Sequence, residues 1–329
     1  AAQEIFLVQL HIASFPLHIA SFPPLVVPRL FIDPAMASEK PCVGSCRLSE
    51  RQPWQDDEAH MSAEFFSLFD DPDAQWKFPE GGEGFETRLL GAGDGSSTLG
   101  RDANLVVVFS SADHFEFGKT FGKVSTTGTA GQMQEQMTVL QVKDTKQSWY
   151  LRASKLDADP FGPVISLVSQ ELQRLGVPPT RWATLGFCCG GYAAVRVGIA
   201  LRAARIVAFS PQMYIHLDER RKKQLAPAYF DSTLESFQRA DACPLDSLVR
   251  VLSRAAPLGE ATRVELHLGE DAPEDLHEAR TFMEELSDAL GSRPPVSVHM
   301  HPGCGHAVPY FLRQEGKLED LLYSRLIAS

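Results

Sequence analysis

No long hydrophobic run occurs in this chain. Its apolar opening is broken by Pro16, Pro23, Pro24 and Pro28, so nothing there approaches the roughly 20 uninterrupted apolar residues that span a bilayer. An excess of positive charge is also missing. With 31 Lys and Arg against 42 Asp and Glu, the formal net charge is -11, which argues against sequence-independent nucleic-acid binding, because that needs a basic surface to displace counterions. Cysteine is sparse. The six residues Cys42, Cys46, Cys188, Cys189, Cys243 and Cys304 are scattered over 329 positions, unlike the dense disulfide frameworks of short secreted chains, so a reducing cytosol or organelle stroma is the expected address. Cys42 and Cys46 have no second pair at finger-like spacing, and they read as loop cysteines rather than as half of a zinc site. The opening stretch carries no basic leader and no clear small-residue cleavage site, so a secretory signal is not expected.

What is present divides unevenly. Leu10-His11-Ile12-Ala13-Ser14-Phe15-Pro16 repeats at once as residues 17–23, but two copies of seven residues are too few for a solenoid. The chain begins at Ala1, so a start upstream, at Met36 or at Met61 fits equally. A targeting extension, a mistaken exon and an arm that docks a protein partner through residues 1–60 are all compatible with this stretch. Acidic, turn-rich sequence follows from Glu50 to Glu83, with a short helix expected at Glu64 to Phe69. Residues 1–83 are therefore read as an irregular extension and linker, and 84–329 as the ordered domain.

From Gly84 onward short apolar runs alternate with helical periods, the signature of an α/β domain built on a mostly parallel sheet. Strands are expected at Phe85 to Leu90, Leu105 to Phe109, Met137 to Val142, Trp182 to Leu185, Arg205 to Phe209, Arg263 to Leu268 and Val296 to His301. Gly91-Ala92-Gly93-Asp94-Gly95 has the look of a dinucleotide loop, but no amphipathic helix follows it, so a hairpin-type connection is expected there and not nucleotide binding. A crossover helix spans Phe161 to Leu175, stopped by Gly176, and a closing helix spans Phe311 to Ile327. Residues 213–262 break the rhythm with a charged run, Asp218 to Lys223, and amphipathic pieces near Leu234 to Arg239 and Leu245 to Leu252. This reads as a small helical cap inserted between strands, the charged run being a solvated helix face.

The chemistry concentrates where the apolar run ending at Leu185 turns through Gly186-Phe187-Cys188-Cys189-Gly190-Gly191 into a helix-forming run from Tyr192 to Leu201. A strand that turns this sharply into a helix strains the central residue and lifts its side chain clear of the sheet. Gly186 and Gly190 keep neighbours from clashing there, and Gly191 allows close packing on the sheet. Helix N-terminal amides stabilise an anion, so the residue so presented, Cys188, suits a thiolate nucleophile. A competing description makes Cys188 and Cys189 two small buried residues beside a turn.

A thiolate that attacks a carbonyl needs an imidazole as base or ion-pair partner, and the imidazole needs an acid to orient it. His306, in a glycine-flanked loop after the last strand, is the candidate base; Asp275 is the favoured acid, with Asp271 the alternative. The backbone N–H of Cys189 and that of Ser111, after the Leu105 to Phe109 strand, are the expected oxyanion donors. Trp149 and Tyr150 either line a pocket or belong to the core. A rival reading gathers His299, His301, Cys304 and His306, with His267, into a metal site; no carboxylate-rich segment lies nearby, and no metal is expected.

The segments 107–111, 148–151, 186–194, 208–212 and 301–306 together resemble the α/β-hydrolase superfamily, and more narrowly the hydrolase-like proteins associated with bacterial polysaccharide biosynthesis and accessory secretion. Those relatives usually carry serine where this chain has Cys188. The resemblance implies an oxyanion hole, a triad in the order nucleophile, acid, histidine, and neither metal nor organic cofactor. The expected activity is hydrolysis or transfer of an acyl group from an ester or thioester small-molecule substrate. The alternative is an inactive α/β-hydrolase-like binding or scaffold protein.

Overall fold

The computed structural model describes residues 84–90, 104–111, 117, 137–146, 148–152, 159–226, 234–235, 246–255, 262–291 and 296–326. The chain divides into two compact units, Ala1–Pro53 and Trp54–Ser329, and every described residue lies in the second. The heptapeptide repeat, Cys42, Cys46, the helix expected at 64–69, the Gly91–Gly95 loop and most of the 234–239 piece lie outside the described residues.

Seven strands form one sheet: β1 (Phe85–Leu90), β2 (Asn104–Phe109), β3 (Met137–Asp144), β4 (Trp182–Phe187), β5 (Arg205–Phe209), β6 (Arg263–Gly269) and β7 (Val296–His301). Their spatial order is β1-β3-β2-β4-β5-β6-β7. Only β1 runs antiparallel, against β3, with Phe85 opposite Asp144; β3, β2, β4, β5, β6 and β7 are mutually parallel. Leu105 to Phe109 is buried throughout, as a strand covered on both faces must be. The hairpin expected between β1 and β2 is corrected by this order. β3 stands between them, so that β2, apolar on both faces, is flanked by the parallel strands β3 and β4 in the sheet interior.

One sheet face is covered by α1 (Gly162–Leu175), α2 (Cys189–Ala200), α4 (Leu248–Ala255) and α5 (Pro273–Leu290), whose buried residues share a core with Val107, Ile206 and Leu266. The other is covered by α6 (Val308–Gln314) and α7 (Leu318–Leu326), packed on Val106, Leu185 and Val207. α1 ends as its sequence requires: Gly176 is left-handed at φ 67, and the amides of Gly176 and Val177 return to the last turn. The single closing helix expected from Phe311 is in fact two, α6 and α7, because Gly316 takes φ 67 between them and a left-handed residue ends a helix. In the insertion after β5, α3 (Leu217–Lys222) carries the charged run. Glu278 of α5 holds this segment: its carboxylate accepts the amides of Met213 at 2.6 Å and Tyr214 at 2.9 Å and pairs with Arg220 at 3.1 Å.

The order of strands reverses between β2 and β4: the chain leaves β2 toward β3 on one side and returns to β4 on the other. Crevices at the carboxyl ends of strands at such a switch point are where open α/β sheets bind ligands. The Cys188 turn and Ser111 both lie there.

Candidate active site

The turn at the end of β4 is tight enough to dictate its composition. A Cβ on Gly186 would lie 2.1 Å from the Gly190 carbonyl oxygen, and one on Gly190 would lie 2.4 Å from Phe109 O and 2.6 Å from Ser110 O. Backbone thus meets backbone at both positions. Gly191 sits 3.1 Å from Phe209 O on the same measure, consistent with its expected role in close packing. Cys188 stands at the N-cap of α2 with φ 55 and ψ -122, a left-handed conformation that an L-residue holds only under constraint. The constraint is visible: its amide donates to Phe209 O of β5 at 2.9 Å, and its carbonyl accepts from Tyr192 N at 3.1 Å. The helix begins at Cys189, three residues before the position expected from periodicity, so Cys188 stands directly at its N-terminus.

The loop after β7 reaches this sulfur by folding over the end of β6. Asp271 N donates to Cys304 O at 2.9 Å, and the Ser210 hydroxyl donates to His306 O at 2.7 Å. His306 Nδ1 lies 2.7 Å from Asp275 Oδ2, in the first turn of α5, and Cys188 and His306 are close enough that each favours the charged form of the other. The structure therefore brings Cys188, His306 and Asp275 together. Asp271 is exposed and engages the loop through its backbone instead. The His306 ring packs on Phe187, centroids 5.2 Å apart. Cys188 is 4% exposed and the His306 side chain 38%, so the site opens to solvent at the imidazole.

These contacts set the protonation states. The Cys188 thiol is held well below the usual thiol range by a hydrogen bond from Cys189, which together with the hydrogen bond and charge of His306 and a hydrogen bond from Gln212 outweighs burial. Burial alone would push His306 down; the charge and hydrogen bond of Asp275, followed by those of Cys188, raise it well above the ordinary imidazole range. Both shifts run in the direction that favours a thiolate beside an imidazolium. Cys189 and Ser111, the expected oxyanion donors, lie on adjacent walls: Ser111 is buried one residue past the Ser110 carbonyl against which Gly190 abuts. Ser110 N donates to Val142 O at 3.1 Å, within the sheet.

No family model matches this sequence, and no curated protein matches it at significance. Solved structures do match in shape. The capsule O-acetyltransferase of Neisseria meningitidis serogroup A aligns with a TM-score of 0.52 at 14% identity, over 79% of this chain and 98% of that one. A ferulic acid esterase aligns at 0.50 and 12% identity, over 78% and 97%. The glycosylation-associated Gap123 complex of Streptococcus agalactiae aligns at 0.50 and 13% identity, over 78% of this chain but 47% of that one.

The fold is α/β-hydrolase-like.

Within that fold, Gln212 lies near the sulfur and has no role assigned from the sequence, while Trp149 reads there as either pocket or core. Gln212, just after β5, donates from Nε2 to Cys188 Sγ at 3.0 Å, and its Oε1 accepts from Trp149 Nε1 at 3.3 Å. The only signal was position: Ser210-Pro211-Gln212 ends the strand beside the elbow strand. Trp149 and Tyr150 are both buried, and Tyr150 is a core residue, its hydroxyl donating to Ser110 O at 2.8 Å.

The histidines on β6 and β7 do not join this site. His267 Nε2, His299 Nε2 and Glu265 Oε2 lie within 4.8 Å of one another and lack hydrogen-bond partners. Yet the two imidazoles stack at 16° with centroids 4.7 Å apart, so their in-plane lone pairs run side by side, whereas a shared cation needs them to converge. Arg325 Nε, 3.1 Å from Glu265 Oε2, already supplies the positive charge. His301 Nε2 lies 3.0 Å from His267 Nδ1, His306 is committed to Asp275, and Cys304 is buried with its thiol pushed up, chiefly by that burial. Among the described residues no helix is long and apolar enough to cross a membrane.

Proposed function

We propose that this chain is a hydrolase or acyltransferase that takes an acyl group from an ester or thioester through Cys188. The observation that carries the reading is the 2.7 Å contact between His306 Nδ1 and Asp275 Oδ2, in an imidazole that favours the anion of a strained thiol at a helix N-terminus. The Cys188 thiolate attacks the substrate carbonyl, and the developing oxyanion is received by the amides of Cys189 and Ser111. Collapse of the tetrahedral species expels the alcohol or thiol, which takes its proton from the His306 imidazolium and leaves a thioester on Cys188. His306, now neutral, removes a proton from water or an acceptor hydroxyl as that attacks the thioester, and the thiolate leaves to restore the ion pair. Asp275 holds the imidazole with Nδ1 protonated and balances its charge. The shape shared with an O-acetyltransferase and an esterase supports acyl chemistry.

Incubation with p-nitrophenyl acetate tests it. A burst of nitrophenol is expected, with acetyl mass added at Cys188 and lost in C188A. Absence of turnover, with iodoacetamide labelling spread over all the cysteines and indifferent to H306A, ends the reading. A second reading, an inactive scaffold, draws on the likeness to a chain named as part of a complex; stable co-purification with a partner that survives C188A is its mark.

A further inference from the structure

We propose that Gln212 is a positioning residue for the Cys188 sulfur and that Trp149 sets its orientation, forming a relay from indole through amide to thiolate. It rests on the reading of Cys188 as the nucleophile. An indole N–H can only donate, and a thiolate can only accept. Between them lies one side-chain amide, which carries one of each function. With Trp149 Nε1 at 3.3 Å from Oε1 and Cys188 Sγ at 3.0 Å from Nε2, only one direction of the amide satisfies both neighbours. The usual ambiguity between amide oxygen and nitrogen is therefore resolved by chemistry. The indole presents the oxygen with a donor, and the NH2 is turned to the sulfur, where it favours the anion. The opposite direction would set oxygen against thiolate and N–H against N–H.

The relay is also held at both ends. Trp149 sits at φ 55 and Tyr150 at φ 60, two successive left-handed positions in bulky residues, a conformation that persists only when surroundings impose it. Asp144 at the end of β3 imposes it: Oδ2 accepts Ser148 N at 2.7 Å and Tyr150 N at 2.9 Å, while Oδ1 accepts Lys146 N at 3.1 Å and pairs with Arg152 at 2.5 Å. On the other side, Gln212 is 7% exposed and is followed directly by Met213, whose amide is fixed on Glu278 at 2.6 Å. The three members come from loops after three different strands, β3, β4 and β5, and they meet beside the elbow.

The test reads the thiol directly, with no substrate. Alkylation of Cys188 by iodoacetamide is followed from pH 4 to 10 in the full chain, with fragment-ion mass spectrometry resolving Cys188 from Cys189. Wild type, Q212L and W149F are compared after circular dichroism shows each to be folded. The expected result is a depressed midpoint in wild type that rises by about one pH unit in Q212L, the size of one hydrogen bond to a charged group. W149F, which keeps the ring but not the N–H, should raise it by less, because the amide is freed to turn. A depressed midpoint that is unmoved in both variants overturns the relay and leaves the nucleophile reading standing. An ordinary midpoint in wild type overturns both. If Q212L does not fold, W149F decides alone: an unmoved midpoint refutes the orienting role.

Discussion

Gly269 and Cys304 are so close that a Cβ on the glycine would lie 2.1 Å from the Cys304 carbonyl oxygen, and equally 2.1 Å from that of Gly305. The loop that carries His306 rests on this gap at the end of β6. In G269A the loop must lift, since both obstacles are backbone. We expect a stability loss of about 2–3 kcal/mol in urea unfolding, together with a Cys188 alkylation midpoint shifted toward that of an ordinary thiol. A variant that loses stability but keeps the wild-type midpoint would show that the loop does not set the imidazole.

On the proposed function, a thiolate–imidazolium pair is expected between two limits. It forms as pH rises through the depressed Cys188 midpoint and dissolves as pH rises through the elevated His306 midpoint. In H306A the thiol loses its cationic partner, its midpoint rises, and alkylation at pH 6 should slow at least about tenfold. D275N removes the charge that raises His306 and leaves at most a neutral amide oxygen as acceptor, so the alkaline limit moves down. In a pH profile of kcat/KM on an activated ester, the alkaline limb should shift to lower pH while the acid limb stays nearer its place.

The strain at Cys188, φ 55 and ψ -122, predicts a ranking of small residues at this position. Glycine already outranks alanine at an ordinary N-cap, and here it alone adopts the required angles without a Cβ conflict. C188G should be more stable than C188A by about 1 kcal/mol in urea unfolding, and both should be inert to acylation. Equal stability would mean that the turn is not strained.

Acid should destabilise the domain partly through His267. Burial, then the imidazoles of His299 and His301 and the charge of Arg325, push it down to about 2 from 6.5. Below about pH 6.5 the unfolded chain binds a proton that the folded chain refuses. Stability from this residue is therefore intact above that pH and is lost as pH falls, by about 2 kcal/mol at pH 5. Urea unfolding of H267Q at pH 7 and pH 5 should show that share of the acid loss removed. An unchanged pH dependence would mean that His267 is protonated in the native state.

The alternation of strand and helix, the glycines that make the turn possible and the order Cys188, Asp275, His306 were all legible in the chain itself. They are local properties: periodicity decides which face is buried, and only glycine tolerates backbone contact at 2.1–2.4 Å. What no local pattern contains is which distant groups meet. That β3 separates β1 from β2 follows from strand pairing across the whole sheet, and the break at Gly316 follows from a backbone angle that periodicity does not report. The choice of Asp275 over Asp271 as the group beside His306 was made by the loop folding over Gly269. The Trp149–Gln212–Cys188 contacts join residues up to 63 positions apart, and they exist because the carboxyl ends of β3, β4 and β5 converge at the switch point. Sequence alone determined the elements and the reactive groups; tertiary structure decided their partners, because hydrogen bonds and charge act over a few ångströms of space regardless of separation along the chain.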